Sequence, residues 1–410
     1  MSYWKNNFKS FLNEHKYVID KSIVTVLITL FLVQIINIAI KPHLLQWDFL
    51  VYWTGPKAFF EFGSNPYLLQ NLRQVEPTLG LPYTYPPLTL FFFRIFTYLP
   101  FIYSYELWLL VCVGAVGMTL WVWHRDFFRW KFTAMHLAII LCSFHALLVI
   151  RLRTGNVNFL EHALIWVALG SLLKNKVIPF VLILAVVSQF KLTPILFSFV
   201  PLFLHRKNSV WITVVTLGSI LILFSLNFVI SSGLTWDFFY YIVRWQEIAA
   251  HNPCMRVVLW VISNKFFTDL VPKLFDIPWV EWVYGLFVIF ISVGAFNVFR
   301  RTRIFLPSDE RKKYMIYFFI LSYALVLPRF KIYSYFLIVL PLLHYFDLAL
   351  HRRVPKPHAI FIFILAFFPF IDSHSLPFVL EIVSHYAPLF TTFFLWLDYR
   401  QLLTEPVRAS

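Results

Sequence analysis

The sequence predicts an all-α polytopic membrane protein, and three observations support this fold class. Hydrophobic residues make up 60% of the 410 residues and charged residues only 13%, whereas soluble domains carry about 25% charged residues. Apolar runs of roughly 16 to 22 residues, each near the length that crosses a bilayer as a helix, recur along the chain. The surplus of basic residues, a net charge of +15, lies in short clusters beside these runs. This is typical of cytoplasmic loops rather than of a nucleic-acid-binding surface, so we expect membrane lipids and no nucleic acid as partners.

The apolar runs are interpreted as a single integral membrane domain over residues 1–410 with about 10–13 transmembrane helices. The clearest apolar runs are 23–40, 102–123, 133–150, 157–173, 209–230, 280–299, 313–328, 332–349, 358–373 and 379–398. The domain divides into a first helix (22–40), an external loop (41–87), core helices (88–230), a second external region (231–279) and C-terminal helices (280–410). The run at 88–100 is short for a span, and the run at 177–204 is broken by Lys191 and Pro194. A broken helix at membrane depth is tolerated where it lines a cavity.

The basic clusters predict the orientation of the chain. The N-terminal lysines, Arg125 with Arg129 and Lys131, Arg206 with Lys207, and the run from Arg300 to Lys313 should be cytoplasmic. The loop 41–87, the turn 151–156, the region 231–279 and the turn 328–331 then lie on the opposite side. We expect a multi-pass protein of the cell inner (plasma) membrane, with its site on the periplasmic or extracellular face.

The loop 41–87 is the longest polar-containing segment between two apolar ones, and it carries one acid at its start, Asp48. A helix with Tyr52, Ala58, Phe59 and Phe62 on one face should follow. The segment 63–66 (Gly-Ser-Asn-Pro) should end it, because proline cannot continue a helix. A carboxylate in this place suits a catalytic base, because transfer to an alcohol requires removal of the hydroxyl proton. Capping of the following helix by Asp48 is the alternative.

Cations form the second group of candidates. Lys191, Arg329, Lys331, Arg151 and Arg153 fall on the predicted external side. A charged side chain in a membrane helix costs about 2.5 kcal/mol or more at the bilayer centre, so such a residue is a functional candidate. A lipid phosphate would need such partners. The alternative is that these side chains extend from helix ends toward water.

Other polar residues of the external regions are weaker candidates. His251 and Asn252 could position a sugar, although a lone histidine is more often structural. The external acids Glu61, Glu76, Asp237 and Glu247 are further candidates for a base. The three cysteines indicate neither a disulfide framework nor a metal motif, and we expect no metal and no cofactor.

Several motifs resemble glycosyltransferase family 87, whose members are membrane enzymes of the GT-C fold. The first loop shares with the family an Asp, a Tyr, Gly-x-x-Pro-Tyr and Tyr-Pro-Pro, here Asp48, Tyr52, the segment 63–67 and the segment 85–87. Four further segments resemble family motifs in the same order: Gly155-Asn156-Val157-Asn158 (Gly-Gln-Val-Asn in the family), Lys191-Leu192-Thr193-Pro194, His251-Asn252-Pro253-Cys254-Met255, and Pro328-Arg329-Phe330-Lys331-Ile332-Tyr333. The resemblance spans roughly residues 20 to 340 and departs from the family pattern at Asn156 and Cys254.

The resemblance implies a GT-C-like bundle and a specific reaction. A hexose, by default mannose, would pass from a polyprenyl-phosphate-linked donor to a hydroxyl of a lipid or glycan acceptor. The displacement would be inverting and metal-independent, with Asp48 as its base. The donor phosphate would meet Lys191, Arg329, Lys331 and Arg153. Substrate contacts would come from Tyr52, Tyr85, Asn156, His251, Asn252 and Tyr333.

A transporter or flippase of lipid-linked sugars or other amphiphiles is the alternative function. It would use the same broken helices, intramembrane lysine and external aromatic residues. Transporters are usually built from repeated halves, and the sequence shows no internal repeat. A structural membrane scaffold is a third possibility, which the acid-bearing, proline-rich loop disfavours.

Overall fold

The computed structural model describes residues 2–40, 47–128, 133–204, 208–244, 252–267, 279–302, 309–351, 353–371 and 377–404. Every regular element within these ranges is helical, which confirms the predicted all-α membrane class. The α-helices, numbered in chain order, are α1 Ser2–Ile40, α2 Trp47–Phe60, α3 Leu69–Val75, α4 Leu88–Thr97, α5 Phe101–Val122, α6 Ala134–Thr154, α7 Asn158–Leu173, α8 Val177–Val187, α9 Val200–Phe203, α10 Ser209–Ile230, α11 Ser232–Arg244, α12 Met255–Phe267, α13 Trp279–Thr302, α14 Asp309–Val326, α15 Phe336–Leu350, α16 Lys356–Ala366 and α17 Phe378–Thr404.

Among the described residues, six helical segments are long and apolar enough to cross a membrane, namely Asp20–Ile40, Phe101–Phe127, Ser209–Ile230, Trp279–Thr302, Ile332–Leu350 and Phe378–Thr404. The two parts of α6, bent by 59°, would make a seventh span if they cross together. Shorter apolar helices, among them α4, α7, α8 and α16, accompany these spans. A total of about 10–13 crossings would require several of these shorter helices to cross as well.

Helix α15 is the centre of the bundle. Nearly its whole length is buried, and α6, α14, α16 and α17 pack around it. Helices α13, α14 and α17 join through Trp396, whose ring stacks on Phe318 and lies against Gly294. Helix α1, by contrast, exposes most of its apolar side chains in the stretch 20–40. An apolar surface of this kind is normal where lipid is the solvent.

The loop after α1 folds as its prolines and glycines predict. Helix α2 ends at Phe60, and Gly63 adopts the left-handed conformation with φ of 60°, which glycine reaches without steric cost. Tyr52 and Ala58 are buried as expected, but Phe62 is 57% exposed. The expectation that Phe62 shares their buried face is wrong, because the helix has already ended two residues before it.

The segment after α8 is broken, as its lysine and proline predict. The α-helix stops at Val187, irregular chain carries Lys191, and a 3₁₀ turn at Thr193–Phe199 leads into α9. The runs predicted at 88–100 and 102–123 form the separate helices α4 and α5. The run predicted at 358–373 differs in detail, because its helix α16 covers Lys356–Ala366 and the chain is not helical from Phe367 to Ile371.

Candidate active site

A cavity of about 540 Å³ lies among the helices. Its walls come from α2, the proline-rich segment before α4, the start of α7, the break after α8 and the turn between α14 and α15. Helices α11 and α12 contribute Phe238, Ile242 and Arg256. Three of the segments predicted to lie on the external side, 41–87, 231–279 and 328–331, therefore contribute to a single cavity.

Asp48 lies in the first turn of α2 and faces this cavity. The side chain is only 9% exposed. Its Oδ2 accepts a hydrogen bond of 2.9 Å from the side-chain amide of Asn156. An acid in the first turn also interacts favourably with the helix dipole. The carboxylate is thus held in a defined orientation at the cavity wall, where it can accept a proton.

The turn between α6 and α7 supplies that amide. Gly155, with φ of 65°, ends α6 in the left-handed conformation, and its carbonyl accepts a hydrogen bond of 2.7 Å from Trp108 Nε1. The Asn158 N–H donates to Asn156 Oδ1 over 3.0 Å, and the Val157 N–H donates to Tyr52 Oη over 3.2 Å. The turn is therefore bound to both α5 and α2.

Lys191 enters the cavity from the break after α8. Its ammonium donates to Asn158 Oδ1 and lies 3.6 Å from the Glu161 carboxylate. Arg151 lies behind this pair and is fully buried, with its guanidinium 4.2 Å from the Phe159 ring centroid. The Glu161 carboxylate interacts electrostatically with both Arg151 and Lys191, and this counter-charge offsets part of the cost of burying the two cations.

The turn between α14 and α15 brings Arg329, Lys331 and Tyr333 to the cavity wall. The Phe330 N–H donates 2.8 Å to Asn252 Oδ1, and Cys254 Sγ donates 2.9 Å to the Pro328 carbonyl. The ammonium groups of Lys331 and Lys191 lie 5.6 and 5.8 Å from the centroid of the Tyr333 ring. Two cations thus face one aromatic ring from different segments of the chain.

Two phenols complete the wall beside Asp48. Tyr52 Oη and Tyr85 Oη are 2.7 Å apart, and the Tyr67 hydroxyl donates 2.6 Å to the Tyr85 carbonyl. Burial raises the pKa of Tyr52 well above its usual value, and the neighbouring Tyr85 and Asp48 raise it further. Burial and the Asp48 charge likewise raise the pKa of Tyr85. Both phenols therefore stay protonated and neutral.

The predicted site residues fall into three groups. Residues that line the cavity are Asp48, Tyr52, Tyr85, Lys191, Arg329, Lys331 and Tyr333. Asn156 and Asn252 are buried behind its wall and hold Asp48 and Phe330, respectively. Arg153 is exposed and does not line the cavity, and His251 lies outside the described residues.

Three other candidate bases, Glu61, Glu76 and Asp237, do not line this cavity. Glu61, which directly follows α2, is exposed and its Oε2 lies 3.8 Å from Lys57 Nζ, and Glu76 accepts a hydrogen bond of 2.7 Å from Thr78. Asp237 accepts a bond of 2.6 Å from Asn65 and so joins the first loop to α11. Glu247 lies outside the described residues.

Two residues of the site were not identified from the sequence, namely Glu161 as a counter-charge and Asn158 as the partner of Lys191. Arg151 was one of the predicted cation candidates, and the structure buries it behind the cavity wall. The acid in the first turn of an otherwise apolar helix was the available signal for Glu161. Within the described ranges, no three His, Cys, Asp or Glu side chains are grouped so as to hold a metal ion.

An apolar groove of about 430 Å³ lies next to the cavity. It runs between the 3₁₀ turn with α9, α13 and α14, and is lined by residues such as Leu196, Phe203 and Ala295. Tyr323 lines both spaces. A polar site and an apolar groove therefore meet at one side chain.

Comparison with known proteins identifies a family. The model of glycosyltransferase family 87 matches residues 83–328, more than half of the chain. The match includes Tyr85, Asn156 and Lys191, while Asp48 lies before it and Lys331 after it. No curated protein matches the chain.

Proposed function

The chain belongs to glycosyltransferase family 87, and from this membership we propose that it transfers a hexose from a polyprenyl-phosphate-linked donor to an acceptor hydroxyl. The acceptor is a lipid or glycan at the external face of the plasma membrane, and the proposed sugar is mannose. The observation that carries this proposal is the arrangement of Asp48 and three cations, Lys191, Arg329 and Lys331, around one cavity.

The proposed chemistry is a single displacement with inversion at the anomeric carbon. Asp48 takes the proton of the acceptor hydroxyl as its oxygen bonds to the anomeric carbon. The bond from that carbon to the phosphate oxygen breaks, and polyprenyl phosphate leaves with the electron pair. A phosphate leaving group needs no proton, and the three cations stabilise its developing charge.

The apolar groove beside the cavity supports a lipid-linked donor. Its lining is almost wholly apolar, and Tyr323 borders both the groove and the cavity. An isoprenoid tail in this groove would place its phosphate at the cavity. Since a polar headgroup and an apolar chain require adjoining spaces of opposite character, this arrangement favours an amphiphilic substrate.

The test is a transfer assay with radiolabelled polyprenyl-phosphate-mannose in nanodiscs without an ion gradient. We compare wild type with Asp48→Asn, an isosteric change that keeps an acceptor for the Asn156 amide. Glu61→Gln is the matched control, because Glu61 directly follows α2 and does not line the cavity. Transfer by wild type and Glu61→Gln but not by Asp48→Asn supports the proposal.

Two outcomes contradict parts of the proposal. Equal transfer by wild type and Asp48→Asn excludes Asp48 as the base. Absence of transfer by wild type with a panel of polyprenyl-phosphate sugars excludes the donor class. In proteoliposomes, translocation of an intact labelled lipid from one leaflet to the other would then favour the flippase function.

A further inference from the structure

The turn between α6 and α7 connects two functional groups that lie on different walls of the cavity. The Asn156 amide donates to Asp48 over 2.9 Å, and its oxygen accepts the Asn158 N–H over 3.0 Å. The Asn158 side-chain oxygen then accepts a hydrogen bond from the Lys191 ammonium. Two asparagines thus form a continuous hydrogen-bonded path from the acid to the lysine.

The chemistry of the partners determines the orientation of both amides. A backbone N–H and an ammonium can only donate, so each asparagine must present its oxygen to them. The remaining amide nitrogens donate to Asp48 and, over 2.9 Å, to Ser334 Oγ. Both asparagines are 1% exposed and neither lines the cavity. Rotation of either amide would leave buried polar atoms unpaired, which is costly.

We propose that Asn156 and Asn158 are positioning residues that hold the Asp48 carboxylate and the Lys191 ammonium at a fixed separation and orientation across the cavity. The proposal rests on the transferase function proposed above. A displacement of this type needs the base at the acceptor oxygen and a cation at the leaving phosphate, on opposite sides of the anomeric carbon. A misplacement of about 1 Å can cost about 10²-fold in rate.

The first test is Asn156→Leu, which removes the amide donor from Asp48. Loss of a hydrogen bond to the charged carboxylate raises the pKa of Asp48. The base then becomes protonated at higher pH, so the acidic limb of kcat/KM moves upward, by about one pH unit. Tyr52, Tyr85 and the Lys191 ammonium also face Asp48, and they remain in place in this variant.

The second test is Asn158→Leu, which removes the acceptor from Lys191 but keeps the Asn156 amide. We expect weaker binding of polyprenyl monophosphate, the proposed leaving group, by about tenfold. Binding is measured by ligand-induced thermal stabilisation in nanodiscs, and the acidic limb should stay close to that of wild type. Two neighbouring residues therefore give two different signatures, which a general loss of structure would not produce.

Asn227→Leu is the matched control, because Asn227 is fully buried and its side chain accepts the Leu88 N–H over 2.7 Å. It should lower thermal stability without moving the acidic limb. If Asn156→Leu does not fold, Asn156→Asp keeps the acceptor for Asn158. It also places a second carboxyl beside Asp48, which should move the acidic limb further upward.

The outcomes separate this inference from the proposed function. An unmoved acidic limb in both Asn156 variants, or wild-type binding of polyprenyl monophosphate by Asn158→Leu, overturns the positioning role. A wild-type protein that binds polyprenyl monophosphate but transfers no sugar overturns the transferase function. Weaker binding by Asn158→Leu would then still support the role of Asn158 in positioning the Lys191 ammonium. Absence of binding by wild type overturns both.

Discussion

The phenol oxygens of Tyr52 and Tyr85 lie 2.7 Å apart although 33 residues separate them in the chain. This contact joins α2 to the segment before α4, and it lies beside Asp48. The Val157 N–H donates to the Tyr52 oxygen as well. Helix α2, the segment before α4 and the turn between α6 and α7 therefore meet at one phenol pair, so their relative positions depend on it.

Replacement of Tyr85 by Phe should lower transfer by about tenfold, because it removes one hydrogen bond from this junction. Both limbs of the pH profile should stay in place. Burial raises the pKa of Tyr52 and Tyr85 above the usual value, so neither phenol ionises in the working range. Because folding raises their pKa, the two phenols make a constant contribution to the free energy of unfolding below about pH 10, the pKa of an unfolded tyrosine. This contribution is lost only as the pH rises above that value. The measurement is kcat/KM against pH.

Tyr83→Phe is the control for this prediction. Tyr83 is equally buried and its hydroxyl is bonded to Thr89 over 2.6 Å, but it does not line the cavity. Tyr83→Phe should lower the free energy of unfolding by about 1 kcal/mol and leave transfer per folded molecule unchanged. A shifted alkaline limb in Tyr85→Phe would show that the phenol ionises during the reaction.

Lys191→Met should weaken donor binding, and Glu161→Gln separates this effect from a loss of stability. In Lys191→Met the buried Glu161 keeps Arg151 as its counter-charge, so stability should fall by only about 1 kcal/mol, from the lost hydrogen bond to Asn158. Donor KM should rise, because the phosphate lacks its cation. Glu161→Gln leaves Arg151 buried without a counter-charge, so stability should fall by about 3–5 kcal/mol. Thermal unfolding and donor KM are measured for both variants.

Arg153→Gln distinguishes the sequence-based assignment from the structural one. The sequence predicted Arg153 as a phosphate ligand, whereas the structure leaves it exposed and places Lys191 in the cavity. We expect a smaller rise in donor KM for Arg153→Gln than for Lys191→Met. An equal rise in donor KM for the two variants would indicate that Arg153 also binds the donor phosphate.

Local patterns were sufficient to predict the helices, the stop after α2 and the break at Lys191, since these depend on apolar length, glycine and proline. They could not distinguish Arg151 from Arg153. Two residues apart on a helix, these side chains point about 200° apart, so one is buried and the other exposed. Which face of the helix is buried depends on which neighbouring segments pack against it. The Asn156–Asp48 bond spans 108 residues and depends on the same tertiary packing.

Gly55→Ala should damage the site, whereas Gly117→Ala should not. A Cβ at Gly55 would lie 2.5 Å from Tyr83 Cδ2, in a ring that is fully buried, while a Cβ at Gly117 meets nothing within 4 Å. Displacement of Tyr83 should cost about 1–3 kcal/mol and lower kcat through its neighbour Tyr85. Gly117→Ala in α5 should be neutral or stabilising by up to about 1 kcal/mol. Thermal unfolding and kcat are measured for both variants. Equal stability and equal kcat in Gly55→Ala and Gly117→Ala would contradict the packing argument.

Ser292→Trp should block the apolar groove and so discriminate between donors by the length of their tails. Ser292 lines the groove on α13, whereas the next residue, Val293, is 52% exposed and does not line it, so Val293→Trp is the matched control. With Ser292→Trp, kcat/KM for a long-chain polyprenyl-phosphate sugar should fall by at least about tenfold. The tryptophan excludes methylene groups of the tail from the groove, so these groups are no longer buried there. A short-chain donor that ends before the groove should be used equally by both variants. Equal loss with both donors would place the tail elsewhere, because a blocked groove can affect only a chain long enough to enter it.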